Sequence, residues 1–234
     1  MAGSRHSFLI SARPGHYTGM VLMLMVYVLV SPFTTIGSTA NRVLNLAVVL
    51  TLLSVVRASW PSLRMMVPAA GLALAALLPT LGLLTDAGLG ELTSHAASMA
   101  FILLVMGAIL SQVLTTEYVT LDTVVGAASV YLLIGLLFGA LYAVLEYWTP
   151  GSFAMPATFQ PTGPTSLAPL MKDTIILYYS FETLTTLGYG DVTPATPPAR
   201  FFSITEALVG QLYLAILVAR FVGLQVTHST RRRE

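Results

Sequence analysis

Six apolar runs, each close to the length of a bilayer-crossing helix, limit this chain's fold more than any other feature: Tyr17–Ile36, Val43–Ser59, Met65–Leu84, Ala96–Val113, Val124–Tyr147 and Arg200–Gln225. A hydrocarbon core about 30 Å thick takes roughly 20 residues of helix. Within it every backbone N–H and C=O must be satisfied by the protein itself. The second run is short and flanked by Arg42 and Arg57, and the third is interrupted by Pro79. Composition agrees, with 56% hydrophobic and 9% charged residues and a mean hydropathy of +0.81. Soluble domains carry about a quarter charged residues. The expected fold class is an all-α membrane protein. Arg5, His6, Arg13 and His16 could open a signal peptide. The run that follows is long enough to span and lacks a convincing small-residue cleavage site, so it reads as a retained first helix.

Lys and Arg placement sets the expected orientation. With the N-terminus inside, Arg5, Arg13, Arg57, Arg64, Arg220 and Arg231–Arg233 are cytoplasmic, and Arg42, Lys172 and Arg200 are outside. Asp86 and Glu91, with no basic neighbour, suit an outer loop. The fourth-to-fifth linker fits less well, carrying Glu117 and Asp122 but no basic residue. The expected result is a multi-pass protein of the plasma (inner) membrane with both termini cytoplasmic. Its parts are an N-terminal segment 1–16, a four-helix unit 17–115, a linker 116–123, a C-terminal membrane unit 124–225 and a basic tail 226–234 that anchors to acidic lipid heads. The linker, about Thr115 to Thr123, reaches only about 13 Å as a helix. Each four-helix unit is therefore expected to pack beside the C-terminal membrane unit of its own chain. With so short a tail, no regulatory domain is expected within this chain, and such regulation is expected to need an unidentified further subunit.

Between the fifth and sixth runs lies a loop rich in Pro, Gly, Thr and Ser, Thr149 to Leu170. Met171–Leu184 follows, too short to span, and then Thr185-Thr186-Leu187-Gly188-Tyr189-Gly190-Asp191. Short helix and extended chain at membrane depth are tolerated only when buried in protein or lining a water-filled cavity. The heptapeptide matches the selectivity-filter sequence T-x-G-Y-G-D of potassium channels. Carbonyls of successive residues can replace the water shell of an ion. They point into one pore only if the backbone alternates between right- and left-handed conformations. Gly188 and Gly190 permit the left-handed steps without a Cβ penalty. Thr186 can add a hydroxyl at the inner end, while Leu187 and Tyr189 point away and brace the strand. The motif occurs once in the chain. One strand supplies one side of an ion cage, so a four-fold homotetramer is expected.

From Tyr178 to Asp191 the text YYSFETLTTLGYGD closely resembles the pore helix and filter of bacterial potassium channels. The resemblance covers roughly the last half of the chain. It implies a re-entrant pore helix and filter, with potassium at Thr186, Leu187, Gly188 and Tyr189, next to Gly190. It implies supporting roles for Thr185, Glu182 and Asp191, and an aromatic cuff from Tyr178 and Tyr179. EALVGQLYLAILVARFVG looks like a pore-lining inner helix, with Gly210 where the family often places a gating hinge. The alternative for Gly210 is close packing against a neighbouring helix. Glu182 and Asp191 would share one proton behind the filter; otherwise Asp191 faces the outer water and Glu182 pairs elsewhere. Four copies of Asp191 would concentrate cations at the outer mouth. Over the first four helices only the six-helix layout of voltage-gated channels is shared. The stretch AASMAFILLVMGAILSQVL holds no Arg or Lys, so no intrinsic voltage sensor of that kind is expected. Those helices read as a scaffold or, alternatively, as a sensor of lipid, tension or an external ligand.

Several single residues remain. Glu146, at the outer end of the fifth helix, either braces the outer mouth through backbone hydrogen bonds or is an interfacial acid without a partner. Glu206 is an intramembrane acid and so a functional candidate, unless it lies near enough to the interface to hydrate. Arg220 is expected to snorkel to lipid phosphates. Lys172 and Asp173 would open the pore helix, where Asp173 suits the N-terminus. His6, His16, His95 and His228 show no metal spacing and read as solvent or interface residues. There are no cysteines. No catalytic spacing, phosphate loop or nucleic-acid patch is present, so neither an enzyme nor a cofactor beyond the permeant potassium ion is expected. The competing readings are a weakly selective cation channel, a non-conducting sensor or accessory subunit, and the ion-transporting subunit of a larger uptake system.

Overall fold

The computed structural model describes residues 16–31, 39–59, 63–78, 89–115, 120–156 and 168–231. In chain order the elements are α1 (His16–Val30), α2 (Thr39–Ser59), α3 (Leu63–Leu77), α4 (Leu89–Thr115), α5 (Leu121–Trp148), β1 (Phe153–Ala154), α6 (Ala168–Leu184), β2 (Thr193–Pro194) and α7 (Pro197–Arg231). Among the described residues, three helical stretches are long and apolar enough to cross a membrane: Leu92–Thr115, Leu121–Trp148 and Pro197–Leu224. Tyr17–Val30 and Met66–Leu77 are apolar but shorter. The expected N-terminal segment before His16, Asp86, Glu117 and the tail after Arg231 lie outside the described residues, as do the side chains of Glu91, His228 and Arg231.

Local chemistry sets the boundaries. α5 starts at Leu121, inside the expected linker, because the Thr120 side chain accepts the Thr123 N–H at 3.1 Å and Asp122 sits in the first turn. Both satisfy a helix N-terminus. It stops at Trp148, where the Thr149 N–H returns to the Leu145 carbonyl at 2.8 Å and Pro150 follows. α7 opens on Pro197 and Pro198, at positions whose N–H groups a helix leaves unused. α3 ends at Leu77, short of the expected Leu84. The residue before a proline is pushed out of helical conformation, and Pro79 stands two residues on.

α5 is the centre of the molecule, with α1, α4, α6 and α7 packed around it. Its small residues make this close approach. A Cβ on Gly135 would stand 2.8 Å from the Phe181 ring, and one on Gly139 would stand 2.8 Å from Leu177 Cδ1. Absent side chains thus let α6 lie directly on α5. α1 is pinned at its start, where the Tyr17 N–H donates to Asp122 Oδ1 at 3.2 Å and the Tyr17 hydroxyl bonds Gln112.

Arg220 does not follow the expectation of lipid snorkelling. Its guanidinium donates to the Val113 carbonyl and, at 2.6 Å, to the Leu114 carbonyl. These belong to the last turn of α4, whose carbonyls lack partners within their own helix. A fixed pair of protein acceptors thus holds the cation and joins α7 to α4.

Candidate functional site

The end of α6 shapes the segment that follows. The Leu187 N–H bonds the Glu182 carbonyl at 2.9 Å, and the Thr186 N–H bonds the Thr183 carbonyl at 3.0 Å. This pair of bonds is the Schellman closure of a helix C-terminus, which requires a left-handed residue at the position Thr186 occupies. Thr186 accordingly has φ +57°. A β-branched residue there is strained. Gly188 and Gly190 follow with φ +60° and +76°. Left-handed conformation therefore recurs at every second residue, 186, 188 and 190. The sequence pointed to the two glycines but not to Thr186. The Thr185 hydroxyl donates to the Phe181 carbonyl at 2.7 Å, fastening the last turn of α6.

Two acids support the strand from behind. Glu182, 4% exposed, accepts the Gly190 N–H on Oε1 at 3.1 Å. Its other oxygen is buried with no hydrogen-bond partner. Asp191 accepts the Tyr178 hydroxyl at 3.0 Å and its neighbour's N–H, at Val192, at 2.9 Å. Among the described residues each of these two carboxyls accepts from a different donor, Glu182 from the Gly190 N–H and Asp191 from the Tyr178 hydroxyl. The expected aromatic pair also divides. Tyr178 reaches Asp191, whereas Tyr179 is buried and pairs with Ser203 of α7 at 2.7 Å. Successive helix positions do not face the same way, so the two rings meet different partners within one chain.

The outer flank is tied together. Glu146 is buried at the end of α5, accepting the Gly151 N–H at 2.8 Å and the Phe153 N–H at 3.2 Å. Lys172 of α6 stands 2.7 Å from the same carboxylate. Glu146 is thus a brace and not a partnerless acid. β1 pairs antiparallel with β2, Phe153 opposite Pro194 and Ala154 opposite Thr193, clipping the loop after α5 to the segment beyond Asp191. α6 begins at Ala168, so Lys172 and Asp173 lie in its second turn and not at its N-terminus. His95 does not simply face solvent: its Nε2 is 3.7 Å from Asp173.

α7 meets the site along one stripe: Ser203, Glu206, Gly210 and Tyr213, at helical spacing. Ser203 takes Tyr179, and the Tyr213 hydroxyl donates to the Ala127 carbonyl at 2.7 Å. Glu206 is fully buried between Tyr142 and Ser180. A Cβ on Gly210 would stand 2.8 Å from Leu184 Cδ1 and 2.9 Å from the Leu184 carbonyl oxygen. That contact is the packing alternative drawn from the sequence, at the base of the strand. Gln211 reaches Thr186 at 3.5 Å. The Tyr142, Ser180, Ser203 and Tyr131 contacts carry no sequence signal, since neutral hydroxyls on apolar helices look like filler.

Residues 172–225 match the family described as Ion channel. The chain is 41% identical over 93 residues to Two pore potassium channel c of Oryza sativa subsp. japonica, covering 40% of this chain and 17% of that protein. It is 36% identical over 115 residues to Protein LctB of Bacillus caldotenax, covering 47% of this chain and 78% of that protein. It is 34% identical over 82 residues to Voltage-gated potassium channel of Aeropyrum pernix, covering 35% of this chain and 26% of that protein.

Proposed function

The chain belongs to the ion-channel family, and we propose that it is a passive potassium-selective channel, assembled as a homotetramer. It is a membrane channel and not an enzyme. The observation that carries the selectivity reading is the left-handed alternation at Thr186, Gly188 and Gly190 within TTLGYGD. That alternation turns the carbonyls of Thr186, Leu187, Gly188 and Tyr189 to one side, where they replace the water shell of potassium. α5, α6 and α7 then act as outer helix, pore helix and inner helix.

Exposure supports four copies. Leu187 is 53% and Tyr189 69% exposed in the single chain, and α7 leaves Phe201, Ile204, Leu208, Leu212 and Ile216 uncovered. Neighbouring subunits would cover the filter side chains, and part of the α7 face would line the conduction path. In this reading all six apolar helices span, both termini are cytoplasmic, and the protein sits in the plasma membrane. The packing of α1 and α4 on α5 of the same chain supports a unit that is not exchanged between subunits. With no Arg or Lys in the 96–114 stretch of α4, the channel has no charged voltage sensor of the usual kind.

Potassium and sodium flux through purified protein in liposomes, with barium as blocker, tests this. The expected result is barium-sensitive potassium flux with little sodium flux. Equal flux of both ions would refute selectivity, and no flux from intact tetramers would refute a conducting role at rest.

Glu182 supplies a sharper test of the filter's support. Glu182→Ala leaves the Gly190 N–H without its acceptor, a loss of about 0.5–1.5 kcal/mol in each subunit. We expect flux that decays under sustained potassium gradients, or a potassium preference lowered by about tenfold. Unchanged kinetics and selectivity would show that Gly190 does not depend on this bond.

A further inference from the structure

Glu206 is a fully buried acid nine residues into α7, roughly 14 Å along the helix, and filter chemistry makes no use of it. Three oxygen atoms of two neighbouring helices, α5 and α6, join it in one hydrogen-bonded row. The Tyr142 hydroxyl of α5 donates to Oε2 at 2.6 Å. Ser180 Oγ of α6 lies 2.5 Å from Oε1 and 2.7 Å from the Gly135 carbonyl of α5. A serine hydroxyl owns one hydrogen, and a carbonyl can only accept. If that hydrogen serves Gly135, the hydrogen in the Ser180–Glu206 contact belongs to Glu206. The row then closes without conflict: Tyr142 to Glu206, Glu206 to Ser180, Ser180 to Gly135. An ionised Glu206 would leave one of the two Ser180 contacts without a hydrogen.

The surroundings point the same way. The titratable groups around the carboxyl are Tyr142 and Tyr131 of α5 and Tyr179 of α6. Among the described residues no Lys, Arg or His pairs with it. A lone charge at membrane depth is expensive. Nor does Glu206 sit on the uncovered face of α7, where Ile204 and Leu208 are 62% and 57% exposed. It is therefore poorly placed to attract cations within a pore.

We propose that Glu206 is a positioning residue, held as a neutral carboxylic acid, that locks the inner helix to the pore helix and outer helix and so fixes where the base of the filter stands. Ser180 is five residues before Thr185, and Gly210, one turn beyond Glu206, touches Leu184. The lock and the filter base thus share one short piece of α6.

The functional part of this inference rests on the channel reading, whereas the acid's protonation does not. The test compares wild type, Glu206→Gln, Glu206→Ala and Ser180→Ala as full-length protein in liposomes, by infrared difference spectroscopy and by the potassium-to-sodium flux ratio. Wild type minus Glu206→Gln should contain a carboxylic-acid C=O band. Glutamine offers one donor and one acceptor in the same places, so its flux ratio should stay within about twofold of wild type. Alanine offers neither and should lower the ratio by about tenfold. If Glu206→Ala does not assemble, Ser180→Ala, which keeps the acid and removes its acceptor, should shift the band and lower the ratio. No acid band, or a glutamine variant as impaired as the alanine one, would overturn the proposal. An acid band in protein that carries no flux would uphold the neutral acid and refute the channel reading instead.

Discussion

Gly188→Ala should abolish selective potassium flux while leaving the helices folded. Gly188 sits at φ +60°, and no atom stands within 4 Å of where its Cβ would lie. The penalty is therefore conformational and not a collision. A left-handed residue with a Cβ costs about 1–2 kcal/mol. In a homotetramer the four strands meet around one axis, so the cost reaches about 4–8 kcal/mol for one ion cage. The strand's escape is to rotate the peptide, which swings a carbonyl out of the row and removes an ion ligand. We expect selective flux to fall by at least about a hundredfold, since each 1.4 kcal/mol is a factor of ten. Circular dichroism and the thermal transition should stay close to wild type, because a Cβ at 188 meets no atom of the described chain within 4 Å. Gly190→Ala, at φ +76°, should act in the same direction. Normal selectivity in Gly188→Ala would sink the account of the filter as alternating left-handed steps.

What the sequence made legible was the chemistry that is local. The alternation demanded by a carbonyl cage could be read from Gly188 and Gly190 because glycine spacing encodes backbone hand directly. The pore helix was located to within three residues at its start, Ala168 against the expected Met171. Thr186 was not legible, since its left-handed state comes from the Schellman closure of α6, and threonine does not advertise that conformation. Contacts across distance were hidden as well. Tyr142 and Glu206 are 64 residues apart, and Arg220 and Val113 are 107 apart. Nothing in an apolar helix marks which hydroxyl or carbonyl will meet a buried acid or an arginine. The tyrosine pair illustrates the limit. A motif says that aromatics belong at 178 and 179, but only the helix's rotation sends one to Asp191 and the other to Ser203.

Gly210 separates two mechanisms that the sequence left open, and the structure predicts which substitution distinguishes them. A glycine there could be a flexible point in the inner helix or a contact surface. The contact is with the last turn of the pore helix, 2.8 Å to Leu184 Cδ1 and 2.9 Å to the Leu184 carbonyl oxygen from a Cβ at 210. The side-chain atom can move aside; the carbonyl cannot, because it is fixed in the helix end and also accepts the Tyr131 hydroxyl at 3.0 Å. Gly210→Ala must therefore push the inner helix off the pore helix, an overpacking cost of about 1–3 kcal/mol in each subunit. Thr186 lies two residues past Leu184, so the displacement reaches the filter base. We expect a lower thermal transition of the assembled protein together with a reduced potassium-to-sodium flux ratio. Adding Leu184→Ala should not restore either, since the carbonyl clash remains. A hinge would give a different pair of results. Alanine would stiffen the helix, leave assembly and selectivity intact, and lower only the fraction of time the pore is open. Thermal stability and single-channel recording on the same variant therefore decide between them, with an unshifted transition and a lowered open fraction counting against the contact.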